Sequence, residues 1–434
     1  MTTLARISTA AAVAALIGAT PMGAAAQEQI EFMFPAPVQG KLSREMQRIV
    51  KEFNASQDEV EVIGVFTGSY DDTKIKSQAA AEAGKPPAVV LMSANFAAEL
   101  AMNDLIVPIA DIAPEGTDLD AFLGEFWPAV RANALFNGEL FSVPFQNSTP
   151  ILYYNKEHFA EVGIDTAPET WADWIETAKK LARPEGERWG LMMPSNYDYN
   201  GWLVQALAMA SGGSFYNTEY PGEIFYDHAS TKAALKFWRD MAHEHQAMPT
   251  GVTDSKAVST AFFAGKSSMI VLSTGALSFV RENATFDYDV AFMPRNVRNS
   301  VPIGGASLVS FKGTTPEQKA AAWTFISHLV SREVIGGWSR FTGYFAPRQT
   351  AYDLPEMKKF VANYPDALRA VEQLKFAGPW IATYNTVAVR KAVEDEMQAL
   401  LSDPELSIGE SAARAQKNAD EILAPYVADT ALKF

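Results

Sequence analysis

In the first part of the chain, short apolar runs alternate with a stretch in which apolar residues recur at helical spacing. Residues 29–34 and 60–66 have the composition of short strands, and apolar residues recur at helical spacing over 42–53. Residues 89–92 follow a Pro-Pro break and are all apolar, which is typical of a buried parallel strand. The opening of the chain therefore predicts strands of a parallel sheet joined by crossover helices.

Strand-like runs return later in the chain, on both sides of a long helical stretch. Thr170 is placed to cap a helix that starts at Trp171, and the chain is rich in helical patterns from there to about residue 271 and again after residue 316. Further strand-like runs lie at 138–144, 151–154, 268–272, 288–292 and 303–309. Because strands reappear so late, we expect an α/β chain that crosses between two lobes more than once, with a ligand cleft between them.

Composition and charge exclude several classes of function. The chain has 434 residues, 48% of them apolar, which predicts a globular protein of two large domains or three small ones. With 36 Lys and Arg against 51 Asp and Glu, it lacks the basic surface that nucleic acids and anionic membranes require. The absence of cysteine excludes disulfides, thiolate metal sites and a lipid anchor on cysteine.

The N-terminus has the pattern of a removable export signal. Arg6 precedes an Ala-rich apolar run, and the small residues that end at Ala26 suit a signal peptidase, so we expect residues 1–26 to be a signal peptide. The alternative is an ordinary Ala-rich first helix. No later run reaches the ~18 apolar residues of a membrane span. The mature protein is therefore predicted to begin at Gln27 and to be a soluble monomer in the periplasm.

Signals of catalysis are few. The sequence 264–267 resembles the end of a phosphate-binding loop, but Thr260 stands where that loop needs its first glycine. Five histidines and no cysteine offer few bases or nucleophiles, and the pair Asp71 and Asp72 is interpreted as a solvated loop. We expect no catalytic residues, no metal site and no cofactor.

Three phrases of the sequence point to a known family. These are Tyr-Asn-Lys at 154–156 followed by Phe159, Phe-Ala-Gly-Lys at 263–266, and the strand that leads to Met293 and Pro294. Together they resemble the family 1 extracellular solute-binding proteins of ABC importers, over essentially the whole mature chain. The resemblance implies a two-lobed periplasmic binding protein fold of type II. It also implies a permease and ATPase complex at the inner membrane as partner, and no enzymatic activity.

Four separated motifs resemble the members of that family that bind sn-glycerol-3-phosphate. They are Ser148-Thr149-Pro150 before 152–156, Ile303 to Leu308, Thr342-Gly343-Tyr344 before 351–354, and Arg390 before 394–396. The resemblance implies capture of sn-glycerol-3-phosphate or a related glycerophospho compound. It implies ligand contacts at Tyr70, Ser148, Trp202, Ser273 or Thr274, Gly304, Gly305, Tyr344 and Arg390.

The chemistry of these residue types suits a phosphate ester. Backbone N–H groups can approach closely at Gly304 and Gly305, hydroxyls add donors, and Arg390 supplies a fork of donors for phosphate oxygens. Other interpretations remain open at four positions. The glycines could serve a bulge or close strand packing, and Arg390 could be a surface partner of Glu394. Tyr70 could close a turn, and Trp202 could belong to the core.

Two departures from these members bear on the ligand. They carry an acidic residue after the strand at 89–91, where this chain has Ser93-Ala94-Asn95, and their Ser-Ser-Gly-Ser is Ser-Thr-Gly-Ala at 273–276. Both changes are expected in the cleft. A sugar, sugar acid or glycerophosphodiester is therefore an alternative ligand, and a secreted hydrolase of such esters is an alternative of another class.

The expected division of the mature chain is discontinuous. Lobe 1 is predicted to comprise 27–145 and 300–345, and lobe 2 to comprise 146–299 and 346–434. Hinge crossings are expected near 145–149, 299–304 and 344–350. Lobe closure around the ligand would bring both lobes into contact with it.

Overall fold

The computed structural model describes residues 27–38 and 41–431, so the predicted signal peptide lies outside the described residues. The strands are β1 (Glu28–Pro35), β2 (Val60–Gly68), β3 (Val89–Ser93), β4 (Leu135–Phe136), β5 (Glu139–Leu140), β6 (Val143–Ser148), β7 (Pro150–Asn155), β8 (Trp189–Met192), β9 (Ser267–Ser273), β10 (Tyr288–Ala291), β11 (Val301–Pro302), β12 (Gly304–Val309) and β13 (Ala377–Gly378). The helices are α1 (Leu42–Ser56), α2 (Tyr70–Glu82), α3 (Phe96–Met102), α4 (Leu119–Gly124), α5 (Pro128–Arg131), α6 (Lys156–Glu161), α7 (Trp171–Leu181), α8 (Asn200–Ala210), α9 (Ala229–His243), α10 (Ser255–Phe263), α11 (Leu277–Asn283), α12 (Pro316–Leu329), α13 (Arg332–Thr342), α14 (Pro355–Asn363), α15 (Arg369–Gln373), α16 (Thr386–Ser402) and α17 (Ile408–Thr430).

The first lobe is built on a five-stranded sheet with the order β2-β1-β3-β12-β6. Strand β1 runs parallel to both β2 and β3, whereas β12 is antiparallel to β3 and β6. All five residues of β3 are buried, because its alternate side chains enter two different hydrophobic clusters, one on each face of the sheet. The predicted parallel opening and the apolar stripe of α1 are confirmed.

The second lobe is built on a four-stranded sheet with the order β10-β7-β9-β8. Strand β7 is antiparallel to β10 and β9, and β8 is parallel to β9. Helices α7 to α9, α16 and α17 pack on this sheet through one large hydrophobic cluster. Thr170 caps α7 in a reciprocal capping box with Asp173, as its position in the sequence predicts.

The chain crosses between the sheets three times, side by side. Strand β6 passes through Thr149 directly into β7, β11 leads through Ile303 into β12, and the third crossing is β13, which pairs with β11 in parallel. The predicted third crossing at 344–350 is not there. That segment stays with the first sheet, since Phe345 pairs with Asn147 and Arg348 pairs with Phe126.

Packing also moves the boundary between the lobes. The side chains of Ala346, Ala351, Met357, Ala370 and Leu374 lie in the hydrophobic cluster of the first sheet. Residues 346–374 therefore pack with lobe 1, beyond the boundary that was expected at residue 345. We propose to divide the chain at the three crossings, with 150–299 and 379–431 in lobe 2 and the rest of the described chain in lobe 1 or the hinge.

Candidate ligand-binding site

A cavity of about 160 Å³ lies between the two lobes, beside the three crossings. Lobe 1 contributes the end of β1, the start of α2 and the strand ends of β6 and β12, and lobe 2 contributes α8, the end of β9 and α16. The residues that line it are Ala36, Pro37, Val38, Ser69, Tyr70, Asp71, Ser148, Tyr197, Asp198, Tyr199, Trp202, Ser273, Gly304, Gly305, Tyr344, Trp380 and Arg390.

The structure brings most of the predicted site residues to this one cavity. Those that line it are Tyr70, Ser148, Trp202, Ser273, Gly304, Gly305, Tyr344 and Arg390. Of the two residues between which the sequence did not decide, Ser273 lines the cavity and Thr274 does not. Thr274 is fully buried, and its hydroxyl accepts the backbone N–H of Thr149 at 3.2 Å, so it ties the end of β9 to the hinge.

Tyr70 and Asp71 reach the cavity because a capping box fixes where α2 begins. Ser69 accepts the N–H of Asp72 at 3.1 Å, and the Asp72 carboxylate accepts the N–H of Ser69 at 3.0 Å. Tyr70 and Asp71 are thus the first two helical residues. Tyr70 is half-buried and accepts a hydrogen bond from Gln146 Nε2 at 3.1 Å. The two carboxylates therefore lie in the first turn of a helix and not in a loop, although Asp72 is exposed to solvent as expected.

The two glycines of β12 allow three groups to approach closely. A Cβ on Gly304 would lie 2.6 Å from Cζ2 of Trp202 and 3.1 Å from the Ser148 hydroxyl. A Cβ on Gly305, which has φ +93°, would lie 1.9 Å from the carbonyl oxygen of Gln146. Close strand packing is thus present at Gly305 in addition to its place in the cavity wall. Trp202 likewise belongs both to the core of lobe 2 and to the cavity.

Arg390 lies at the junction of the lobes, in a network of two carboxylates. Its Nε is 2.9 Å from Oε1 of Glu394, one turn along α16, and its Nη2 donates to Asp71 of lobe 1 at 3.1 Å. The side chains of Arg390 and Glu394 are 5% and 1% exposed. Arg390 therefore does pair with Glu394, but the pair is buried and does not lie on the surface, as the alternative interpretation assumed.

Close contact between α8 and α16 explains this burial. A Cβ on Gly201 would lie 2.5 Å from Cγ of Arg390, and the Gly201 N–H donates to Glu394 at 3.0 Å. Burial raises the pKa of Glu394 to about 7, against the opposing effects of Arg390 and the Gly201 N–H. Although burial alone would lower it, the pKa of Arg390 is raised, because Glu394 and Asp71 stabilise the cation.

The charged groups of the cavity wall are one cation and two carboxylates. Asp198 lies at the rim, where Asn196 Nδ2 donates to it at 2.9 Å. The pKa of Asp198 is raised, chiefly by desolvation and to a smaller extent by the negative charge of Asp71. With Arg390 opposite Asp71 and Asp198, the wall is not a simple anion site.

Six of the fourteen other lining residues are aromatic. The rings of Trp202 and Trp380 lie 6.3 Å apart, and Trp202 also contacts Tyr199 at 6.1 Å between centroids. The indole nitrogens of both tryptophans are buried and find no hydrogen-bond partner among the described residues. Two residues of the cavity wall thus carry a buried indole N–H without a partner.

Sequence reasoning missed several lining residues, chiefly Asp71, Tyr197, Asp198, Tyr199 and Trp380. For Asp71 a signal was present, since Ser69 and Asp72 have the spacing of a capping box. For Asp198 and Trp380 the sequence offers none, because both stand in irregular segments whose position depends on the other lobe.

The two departures at 93–95 and 273–276 are mostly outside the cavity wall. Ser93 donates to Asn95 at 2.6 Å, and Asn95 donates to the carbonyl of Ile381 in lobe 2 at 2.9 Å. Of these seven positions only Ser273 is in the cavity wall, and it is the same in those family members, so neither change replaces a residue of the wall and the expectation that both fall in the cleft is not met there.

Across residues 27–38 and 41–431, no three His, Asp or Glu side chains form a cluster that could hold a metal ion. In the same part of the chain, no helix has the length and apolar composition of a membrane span.

A cavity lined from both sides by two α/β lobes with three adjacent crossings defines a two-lobed solute-binding protein. The family comparison gives the more specific assignment. The chain belongs to the family of bacterial extracellular solute-binding proteins, whose profile matches residues 48–393.

Sequence relatives and solved structures agree with this membership. The sn-glycerol-3-phosphate-binding periplasmic protein UgpB of Escherichia coli (strain K12) is 28% identical over 387 residues, covering 84% of this chain and 86% of the relative. UgpB from Mycobacterium tuberculosis in complex with glycerophosphocholine superposes with a TM-score of 0.81 at 23% identity, over 92% of this chain and 100% of that one. Maltose-bound MalE3 of T. maritima gives 0.79 at 22% identity, over 91% and 99%.

These comparisons confirm the two-lobed α/β fold and the resemblance from which it was inferred. They also confirm a location outside the cytoplasmic membrane, since the family is extracellular and the curated relatives are periplasmic proteins. The chain is a solute-binding protein, and its family consists of binding proteins.

Proposed function

We propose that this protein captures a glycerophospho compound in the cavity between its lobes and delivers it to an ABC permease and ATPase complex. It acts as a periplasmic monomer and carries out no covalent chemistry. The ligand contacts are Tyr70, Ser148, Trp202, Ser273, Gly304, Gly305, Tyr344 and Arg390, to which we add Asp71, Asp198 and Trp380. Similarity to proteins named for sn-glycerol-3-phosphate and glycerophosphocholine supports the ligand class.

The observation that carries the proposal is the charge of the wall, in which Arg390 is paired with Asp71, Asp198 supplies a second carboxylate, and aromatic rings lie beside them. A phosphate group can accept from Arg390 and from the Ser148 and Ser273 hydroxyls. A dianionic phosphomonoester would also meet the repulsion of Asp71 and Asp198. A phosphodiester carries one negative charge, and a cationic head group on it would be stabilised by these carboxylates and by the aromatic faces.

Within the class, a zwitterionic glycerophosphodiester therefore suits the wall better than sn-glycerol-3-phosphate. A neutral sugar is the second candidate, because carboxylates and aromatic rings also bind sugar hydroxyls and apolar sugar faces. The two candidates differ in their need for Arg390, since only the phosphate ester requires a cation.

The ligand is tested by thermal unfolding of the mature chain with glycerophosphocholine, sn-glycerol-3-phosphate, maltose and inorganic phosphate. Stabilisation by a ligand follows RT ln(1 + [L]/Kd), about 2.7 kcal/mol at a hundredfold excess over Kd. We expect the largest shift with glycerophosphocholine and a smaller one with sn-glycerol-3-phosphate. A shift with maltose alone would show that the ligand is a sugar and not a phosphate ester. Turnover of any of the compounds would contradict a binding role.

Asp71 sets the balance between these two esters, and its replacement is expected to change selectivity. Asp71→Asn removes a carboxylate that repels phosphate and competes for Arg390, so the affinity for sn-glycerol-3-phosphate should rise by about tenfold. The affinity for glycerophosphocholine should fall or stay constant, because its head group loses a counter-charge. Calorimetric titration of both ligands measures the ratio.

Asp58→Asn is the matched control for this change. Asp58 is exposed in the turn before β2, outside the cavity wall, and its replacement alters the net charge equally. If both variants changed the ratio alike, the effect would belong to overall charge rather than to the cavity.

A further inference from the structure

The segment 379–386, here called the strap, connects β13 of the hinge to α16. Its second residue, Trp380, lines the cavity, and α16 begins at its last residue, Thr386, four residues before Arg390. The conformation of the strap therefore determines where two groups of the cavity wall lie. The strap has no regular secondary structure before Thr386, so side chains must satisfy its backbone.

Lobe 1 holds the strap through polar side chains at four points, one of which is the bond that Asn103 Nδ2 donates to the carbonyl oxygen of Tyr384 at 3.2 Å. Asn133 Nδ2 donates to the carbonyl oxygen of Trp380 at 3.0 Å, and the Trp380 N–H donates back to Asn133 Oδ1 at 3.0 Å. Asn95 donates to the carbonyl of Ile381 at 2.9 Å. Glu99, which is 5% exposed and paired with Lys74, accepts the N–H of Thr386 at 3.2 Å.

Lobe 2 holds the flanking residues in a similar way. Gln205 of α8 donates to the carbonyl of Pro379 at 2.9 Å and accepts the N–H of Ile381 at 3.0 Å. The hydroxyl of Tyr216 also donates to Trp380, at 3.3 Å. The backbone N–H of Trp380, however, is bound by lobe 1 through Asn133. Trp380 therefore takes its position from both lobes at once.

The side chain that is positioned in this way is unusual. Trp380 is 5% exposed, its indole N–H has no partner among the described residues, and its ring lies 5.7 Å from Cζ of Arg390. A buried donor without a partner is costly unless something else accepts from it. Because Trp380 lines the cavity, the orientation of its ring sets the shape of the wall beside Arg390.

We propose that Asn133 is a positioning residue, which holds the Trp380 ring in the cavity wall by bracketing its backbone from the opposite lobe. Asn133 itself is not in the cavity wall, so it acts through Trp380. The role depends on lobe geometry and not on which solute is bound.

The competing explanation is that Asn133 only satisfies buried backbone groups, and the chain contains a matched control for it. Asn54 makes the same two-bond bracket within lobe 1, donating to the carbonyl of Val62 and accepting its N–H, both at 2.9 Å. Asn54→Ala and Asn133→Ala should therefore lose similar thermal stability. Only the second should disturb the cavity wall.

The test is ¹⁹F NMR of the full mature chain labelled with 5-fluorotryptophan, without ligand. The sequence contains nine tryptophans, and Trp380→Phe identifies the resonance of Trp380. We expect Asn133→Ala to shift or split that resonance and to leave those of tryptophans far from the strap, such as Trp174, in place. Asn54→Ala should leave the Trp380 resonance unmoved.

An unshifted Trp380 resonance in folded Asn133→Ala, or an equal shift in Asn54→Ala, would overturn the proposal. If Asn133→Ala does not fold, Asn133→Asp keeps the acceptor for the Trp380 N–H and removes the donor to its carbonyl, and the same resonance is compared. Because no ligand is present, failure of this proposal leaves the proposed solute untouched, and failure of the ligand screen leaves this result standing.

Discussion

Replacement of Arg390 by Ala is expected to reduce both the stability of the protein and its affinity for a phosphate ester. Glu394 is 1% exposed and would lose the cation that lies 2.9 Å away. Removing one partner of a buried ion pair typically costs about 3–5 kcal/mol while the other partner stays charged. The pKa of Glu394 is already about 7 and would rise without Arg390, so the carboxyl would be neutral near pH 7 and the full loss is expected only at higher pH. Urea unfolding of Arg390→Ala measures this loss. Because the variant loses stability as well as a ligand contact, a weaker affinity measured with it alone would be ambiguous.

A Glu394→Gln background separates stability from binding. Glutamine still accepts the Gly201 N–H but carries no charge, so Arg390→Met can then be added without leaving a buried carboxylate. If Arg390 binds phosphate, the double variant should lose on the order of 2–5 kcal/mol in binding, roughly 30- to several-thousand-fold in Kd. Arg390→Lys in the same background should recover only part, because the two-pronged geometry is lost.

Calorimetric titration with glycerophosphocholine and sn-glycerol-3-phosphate gives the result, with Glu394→Gln alone as the control. An unchanged Kd in the folded double variant would remove Arg390 from the ligand site. It would also favour the neutral sugar, for which a cation is not needed.

The sequence predicts most of this architecture because the strands are short apolar runs and the helices have regular apolar spacing. The run Val89 to Met92 indicates a strand that is covered on both faces, and the structure places its alternate side chains in two clusters. From the sequence, only the family resemblance assigns Ser148 and Gly304 to the same site. In the structure they are register partners on β6 and β12, which explains why both reach one cavity.

What the sequence could not predict depends on contacts between distant segments. The third crossing, β13, is only two residues long, and no periodicity distinguishes it from a loop. The burial of Arg390 depends on Gly201, nearly two hundred residues earlier, which lets α8 approach α16. Helical spacing predicts the pair of Arg390 and Glu394 but gives no information about which other helices cover it.

Gly305 differs from most glycines of the chain because both its conformation and its surroundings exclude a side chain. Its φ is +93°, and a Cβ there would lie 1.9 Å from the Gln146 carbonyl oxygen and 2.8 Å from Cα of Asn147. Both neighbours are backbone atoms of β6, the strand that pairs with β12. A side chain could be accommodated only if the two strands separated at the edge of the cavity.

Gly305→Ala is therefore expected to destabilise the protein by about 2–5 kcal/mol, the sum of positive-φ strain and overpacking. Gly84→Ala is the matched control, since Gly84 has φ +74° and no described residue has an atom within 4 Å of its Cβ position, so it should cost only the strain of about 1–2 kcal/mol. Urea unfolding of both variants measures the difference. Equal losses would mean that β12 and β6 can move apart at no cost, and the cavity wall would then be less rigid than the close contact at Gly305 implies.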